Sequence, residues 1–235
     1  MKFLYTAAIL TSMFTFSTIA AERKAIHEVD ADAFTDDTQV SPKGTGDNHL
    51  AITWWIPNEF WESILSRDAS TSEEDKKAML DALSGVSLLA IVQADISNFG
   101  AFTFYTKETI RENIKITSSG SDGEKHSLSP LENIGPDLQV VLGVFKPILG
   151  SAMGNLGNNM HFYVLNDTMV DTPRLMDPYK KGNLAVQLTK KEGDLLSASI
   201  ETPLNALFIP RKCPNGKDAH ISWTHCPWTG KKLAE

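Results

Sequence analysis

From residue 49 onward, the alternation of apolar and polar positions divides the chain into elements. Residues 49–56 read HLAITWWI, a β-branched and aromatic run that predicts a strand. Pro57 opens a short helix in which Phe60, Trp61, Ile64 and Leu65 recur at helical spacing. Thr71 begins a second helix, and Glu74 three residues later makes a capping box, each residue satisfying the other's free amide. Ala78, Met79, Ala82 and Leu83 form its apolar stripe and Gly85 ends it. Residues 86–96, VSLLAIVQADI, are a nearly continuous apolar run and predict a buried central strand. The Ser97-Asn98-Phe99-Gly100 turn and the alternating AFTFYT run after it predict an antiparallel hairpin. A further strand is expected at Ile114 to Thr117, followed by a surface loop, SSGSDGEK.

The second half opens on a helix from Pro136, with Leu138, Val141, Leu142, Phe145, Ile148 and Leu149 on one face. Pro147 removes an internal hydrogen bond, so a kink or break is expected near Val144. Gly150, Gly154 and Gly157 turn the chain into MHFYVLN, a strand with Met160, Phe162 and Val164 on one face and His161, Tyr163 and Leu165 on the other. Strands are expected at LAVQLT, LSASIE and ALFI. The order gives an α+β domain over residues 48–210, a mainly antiparallel sheet with helices packed on one side. Residues 22–47 carry five Asp, two Glu, a Pro and two Gly with little periodicity, and are expected to form an extended or disordered acidic lead-in.

The N-terminus changes the picture of where the chain works. Lys2 is followed by an uncharged stretch to Ile19, diluted by Thr and Ser, and then by Ala20-Ala21 before Glu22-Arg23-Lys24. That is the layout of a cleavable signal peptide over residues 1–21, and it implies a periplasmic or secreted product. No later stretch approaches the length of a membrane span. The chain carries 22 basic and 29 acidic residues, a net charge of −7, with no basic stripe. Nucleic acid is therefore disfavoured as a partner, because neutralising phosphates needs clustered Lys and Arg.

Residues 211–235 form a separate tail. Two parallel phrases stand in it, Cys213-Pro214-Asn215-Gly216 and Cys226-Pro227-Trp228-Thr229-Gly230. Over residues 211–233 they resemble a degenerate zinc ribbon, whose two Cys-Pro knuckles would each give two thiolates to a metal. Gly216 and Thr229 occupy the places of the second cysteines, which excludes a four-sulfur site. Three states of Cys213 and Cys226 remain: a disulfide, which an oxidising compartment favours; zinc held with His220 or His225; or reduced structural thiols. The Cys-x-x-Cys spacing of a catalytic redox pair is absent. Trp223 and Trp228 either pack the tail onto the domain or form a contact face.

Motifs for chemistry are sparse. Gly150 to Gly157 is neither a dinucleotide fingerprint nor a P-loop, and no Gly-x-Ser-x-Gly is present. Asp95 at a strand end, with His161 and Tyr163 on one strand face, could serve a hydrolase. The aromatic corner of Trp54, Trp55, Phe60 and Trp61 could line a small-molecule carrier site. Core packing and local hydrogen bonding are the ordinary roles of all these residues. The sequence thus favours a non-enzymatic exported binding or structural component, with no cofactor or metal and with an unidentified envelope protein or surface component as partner.

Overall fold

The computed structural model describes residues 21–168 and 174–233. The leader expected over residues 1–21 lies, Ala21 apart, outside them. The protein is α+β, and every strand pair in it is antiparallel. No helix among the described residues is long and apolar enough to cross a membrane.

Among the described residues a 3-10 turn at Ile26–Glu28 leads into α1 (Ala31–Thr38), where an extended or disordered lead-in is expected from composition. The acidic residues there do specific work. Asp30 caps the helix by accepting from Ala33 N at 2.9 Å, and Asp37 accepts from the Ala206 backbone N–H at 2.7 Å. Phe34 and Val29 are fully buried, with Phe34 edge-to-face against Phe60 at 5.5 Å, so one aromatic anchor orders a segment that its charge count alone would leave free. Residues 22–47 therefore belong to the domain.

The strand β1 (Gln39–Val40) leads to β2 (His49–Ile56), α2 (Asn58–Arg67), α3 (Glu73–Leu83) and the long β3 (Val86–Ile96). The cap of α3 sits one residue later than the spacing suggests: Ser72 accepts from Asp75 N, while Thr71 is taken by Asp68. The short strand β4 (Phe102–Phe104) returns along β3, and α4 (Lys107–Asn113) follows, a helix with no apolar stripe beyond Ile110 to announce it. After β5 (Lys115–Ser119) and β6 (Lys125–Leu128) comes α5 (Pro136–Ala152). It stays one helix through Pro147. That proline is exposed and the residue four before it is the exposed Gly143, so the carbonyl that loses its donor faces water.

A four-residue helix, α6 (Asn155–Asn158), precedes β7 (His161–Asn166). Gly150 and Gly157 touch here backbone to backbone: a Cβ on Gly157 would sit 1.8 Å from the Gly150 carbonyl, so only glycine fits. Then come β8 (Gly182–Thr189) and β9 (Leu195–Thr202). The ALFI segment is a 3-10 turn at Asn205–Leu207 where a strand is expected, because Ala206, Leu207 and Phe208 are all buried together and no alternation survives. The tail adds a two-residue hairpin, β10 (Arg211–Lys212) with β11 (Asp218–Ala219).

Apart from the tail hairpin, the strands form two sheets. In the first, β3 is central, with β2 along one edge and β7 and β4 end to end along the other. The second runs β6-β5-β8-β9. Register assigns the faces of the first sheet. Trp54, Ala90 and Phe162 share one face, and Trp54 meets Phe60 of α2 at 5.4 Å. The opposite face carries His49, Gln93 and Asp95 and, further along, Trp55, Leu89 and Tyr163. It looks toward the second sheet, whose inward Ile116, Leu184, Val186, Leu196 and Ile200 are buried. The result is three layers, helices, sheet and sheet, which is why β3 is buried on both faces.

Candidate functional site

In the tail, Cys213 and Cys226 head two loops with the same hydrogen-bond pattern. Cys213 N donates to Lys217 O and receives Gly216 N on its own carbonyl, both at 2.8 Å; Cys226 N donates to Lys231 O and receives Gly230 N, again both at 2.8 Å. Gly216 and Gly230 have φ of +81° and +67°, a conformation that favours glycine and closes each loop. The two sulfurs face each other as free thiols in hydrogen-bond contact, buried with Ala219 and Leu233. Burial pushes both thiols up. At Cys226 this is outweighed by donation from the Cys213 thiol, the Thr229 hydroxyl and the Trp228 and Thr229 backbone N–H groups, which bring it down to about 7. Cys213, the donor of the pair, is pushed up by burial and by Cys226 to about 11.

Neither histidine joins this pair. His220 is hydrogen-bonded to Ser222 at 2.8 Å and His225 to Thr224 at 3.0 Å, and no group of three His, Cys, Asp or Glu side chains suited to a metal is found among the described residues. The tail is fastened to the body through Ile221, which packs against the body's core and whose N–H donates to Asn205 Oδ1 at 2.9 Å. Within the tail, the Arg211 guanidinium donates to the carbonyls of His220, Ile221 and Trp223. Trp223 and Trp228 stand outward, 37% and 49% exposed, edge-to-face at 5.8 Å, with the Lys217 ammonium 4.8 Å from the centre of the Trp228 ring.

Asp95, His161 and Tyr163 lie on one face of the first sheet but are not assembled into a site. His161 pairs with Ile91 and Tyr163 with Leu89, four and six residues along β3 from Asp95, or roughly 13 and 20 Å. Each has its own partner: His161 Nε2 lies 3.0 Å from Tyr105 O, and the Tyr163 hydroxyl donates to Lys107 O at 2.8 Å. Burial lowers the pKa of His161 and raises that of Tyr163. Asp95 instead takes part in a cluster that the sequence did not announce. His49 Nδ1 is 2.9 Å from its carboxylate, Tyr105 donates to it at 3.0 Å and Lys191 at 2.8 Å.

On the other side of the His49 ring, Gln93 approaches Nε2 at 3.2 Å while also donating to Thr189 O in the second sheet. Burial holds His49 below the usual histidine range, against the pull of Asp95. Burial and the neighbouring carboxylate push Tyr105 up to about 12. For Asp95, burial is outweighed by its three donors, and the carboxyl is held low. Gln93 and Asp95 of β3 reach across to Thr189 at the end of β8 and Lys191 just beyond it, so the cluster spans the two layers. It ties two sheets together.

The aromatic corner is core. Trp54, Phe60 and Trp61 are buried, and Trp61 stacks on Phe145 at 4.1 Å. Trp55 alone reaches a cleft, of about 190 Å³ and lined also by Lys180, Lys181, Asp177 and Asn183; this is below the roughly 300 Å³ at which small-molecule sites begin. Beside it lies a second cluster missed from sequence. Arg174 donates to Glu59 and, through Nε and an Nη at 2.9 and 2.8 Å, to Asp167, which also accepts from Ser87 and from Met176 N. Burial raises both carboxyls against the pull of Arg174. Compared with known proteins, the chain matches no family model, no curated protein and no solved structure.

Proposed function

We propose that this protein is an exported, non-enzymatic binding component of the cell envelope, periplasmic or secreted, whose C-terminal module presents Trp223 and Trp228 to another envelope component. The observation that carries this reading is the outward tryptophan pair. Two large aromatic rings, edge-to-face and partly exposed, are the kind of surface that gains most from being covered. The signal-peptide pattern of residues 1–21 supports export. In an oxidising compartment the facing Cys213 and Cys226 thiols would join as a disulfide and fix the two loops that carry the rings. In the clusters around Asp95 and Asp167 each carboxylate is already paired with a cation of the chain, Lys191 and Arg174, which favours a structural role for them.

The test is a photo-reactive phenylalanine analogue at position 228, irradiated in the native envelope. A discrete adduct is expected that disappears when Trp223→Ala is added. The same adducts from the analogue at the exposed Phe99, on a different turn, or no adduct at position 228, would remove the proposal.

A further inference from the structure

The helix α5 is apolar nearly all the way round. Its inner positions Leu138, Val141, Phe145 and Leu149 are buried, yet Val140, Val144 and Ile148 stand on the outer side 68%, 44% and 58% exposed. They recur every four residues and so form a stripe along one face, flanked by the exposed Gly143 and Pro147. A helix that is apolar on both sides is one whose outer side is covered by something. Beside the stripe runs a groove of about 620 Å³ between α3 and α5, floored by Met79, Ala82, Val140, Val141 and Val144. This is a volume typical of binding sites. Its rim is acidic: Asp75, Asp81 and Asp137 line it, and no Lys or Arg does. Lys77 pairs with Asp81, both side chains being exposed, whereas Asp137 makes no ion pair among the described residues.

We infer that the groove between α3 and α5 docks an amphipathic helix of a partner protein whose apolar stripe is flanked by lysine and arginine. Charge decides between the occupants. A second copy would bring the same aspartates against this rim and add a net charge of −7 to one already there. A lipid surface rich in anionic headgroups would be repelled for the same reason. A basic amphipathic helix sets apolar residues at i, i+4 and i+7 into the floor and its cations onto the rim, the helix-in-groove mode of recognition. The site is separate from the tail tryptophans and does not depend on them.

The probe is a fluorescent synthetic Leu/Lys helix of about five turns, titrated against the full mature chain by anisotropy. Saturable binding is expected, weakened at least about tenfold by Val140→Arg and by moderate salt. Val140 is exposed, so this variant keeps the native circular dichroism. A scrambled peptide of the same composition, which has the charge but no stripe, should not bind. Absence of binding by the Leu/Lys helix, equal binding by the scrambled peptide, or unchanged binding by Val140→Arg would overturn the inference. So would a dimer in sedimentation that Val140→Arg abolishes, which would make a second copy the occupant, or avid binding of zwitterionic vesicles, which would make it lipid.

Discussion

In the body, a continuous core runs from Val29 to Phe208, and the charged groups buried in it are gathered into side-chain networks, Glu59 and Asp167 with Arg174 and His49 with Asp95. In the tail, the buried cluster is Cys213, Ala219, Cys226 and Leu233, and order comes from backbone hydrogen bonds repeated in two loops and from Arg211 reaching three carbonyls. The difference follows from size. So small an appendage buries little apolar surface against the entropy of its own ordering, and it leans on backbone hydrogen bonds instead. The body has ample apolar burial and can hold charges inside it, provided each is paired. The two regions should therefore fail independently and for different reasons.

The largest effect is expected in the body. Arg174→Met leaves the buried carboxyls of Glu59 and Asp167 without their cation, and should cost about 3 kcal/mol in urea unfolding followed by circular dichroism. The tail's hydrogen-exchange protection, measured in native buffer, should not change. If the variant melts like the parent, the Glu59–Arg174–Asp167 cluster does not hold the body together.

Next comes the complementary break. If the protein is exported and its thiols are joined as proposed, reducing it, or replacing Cys213 by Ala, should leave the body's urea midpoint where it was and raise exchange over residues 211–233 alone. Mass spectrometry before reduction should find the mature chain lighter by two hydrogen atoms and without titratable thiol. A full complement of free thiols in the exported protein would instead leave the loops held by hydrogen bonds only, with Cys226 as the ionising group near neutral pH.

A smaller effect separates the two polar clusters within the body. His49 has its folded pKa below the unfolded value, so its contribution to stability is fully present above the unfolded pKa and is lost as the pH falls through the folded one. Asp95, also lowered, acts in the same direction at lower pH. Glu59 and Asp167, raised by burial, act oppositely: the folded state takes up their protons first, so acidification favours it across that window. Net loss of stability on mild acidification is therefore assigned to His49 together with His161, which burial lowers in the same way. Urea midpoints measured from neutral pH downward should fall for the parent and fall less for His49→Asn; parallel curves would reject the assignment.

What could be read from the sequence divides along the same lines. The strands at 49–56 and 86–96 and the helix from Pro136 were legible because each carries its pattern within itself. The helix α1 was not, because what orders it is Phe34 reaching Phe60, 26 residues away, and Asp37 reaching Ala206. The helix α4 was not, because it buries only Ile110. Cys213, Cys226 and the two tryptophans of the tail stood out because their phrases are local. The clusters around Asp95 and Asp167 are made by register and by a loop arginine: His49 meets Asp95 only once β2 is paired with β3 across two intervening helices. No spacing along the chain encodes that pairing.

The smallest expected effect bears most directly on function. If Trp228 were packing the tail onto the body, Trp228→Ala would loosen both and cost several kcal/mol, as large buried aromatics do. It is instead half exposed, touches Trp223 edge-to-face and lies under the Lys217 ammonium. An exposed contact of that kind is worth no more than about 1 kcal/mol. Trp228→Ala should therefore leave the urea midpoint of the body unchanged and the exchange pattern of the tail nearly so, while abolishing the cross-link formed from a photo-reactive residue at position 223. A measured loss of stability well above that bound would return Trp228 to the core and take the contact face with it.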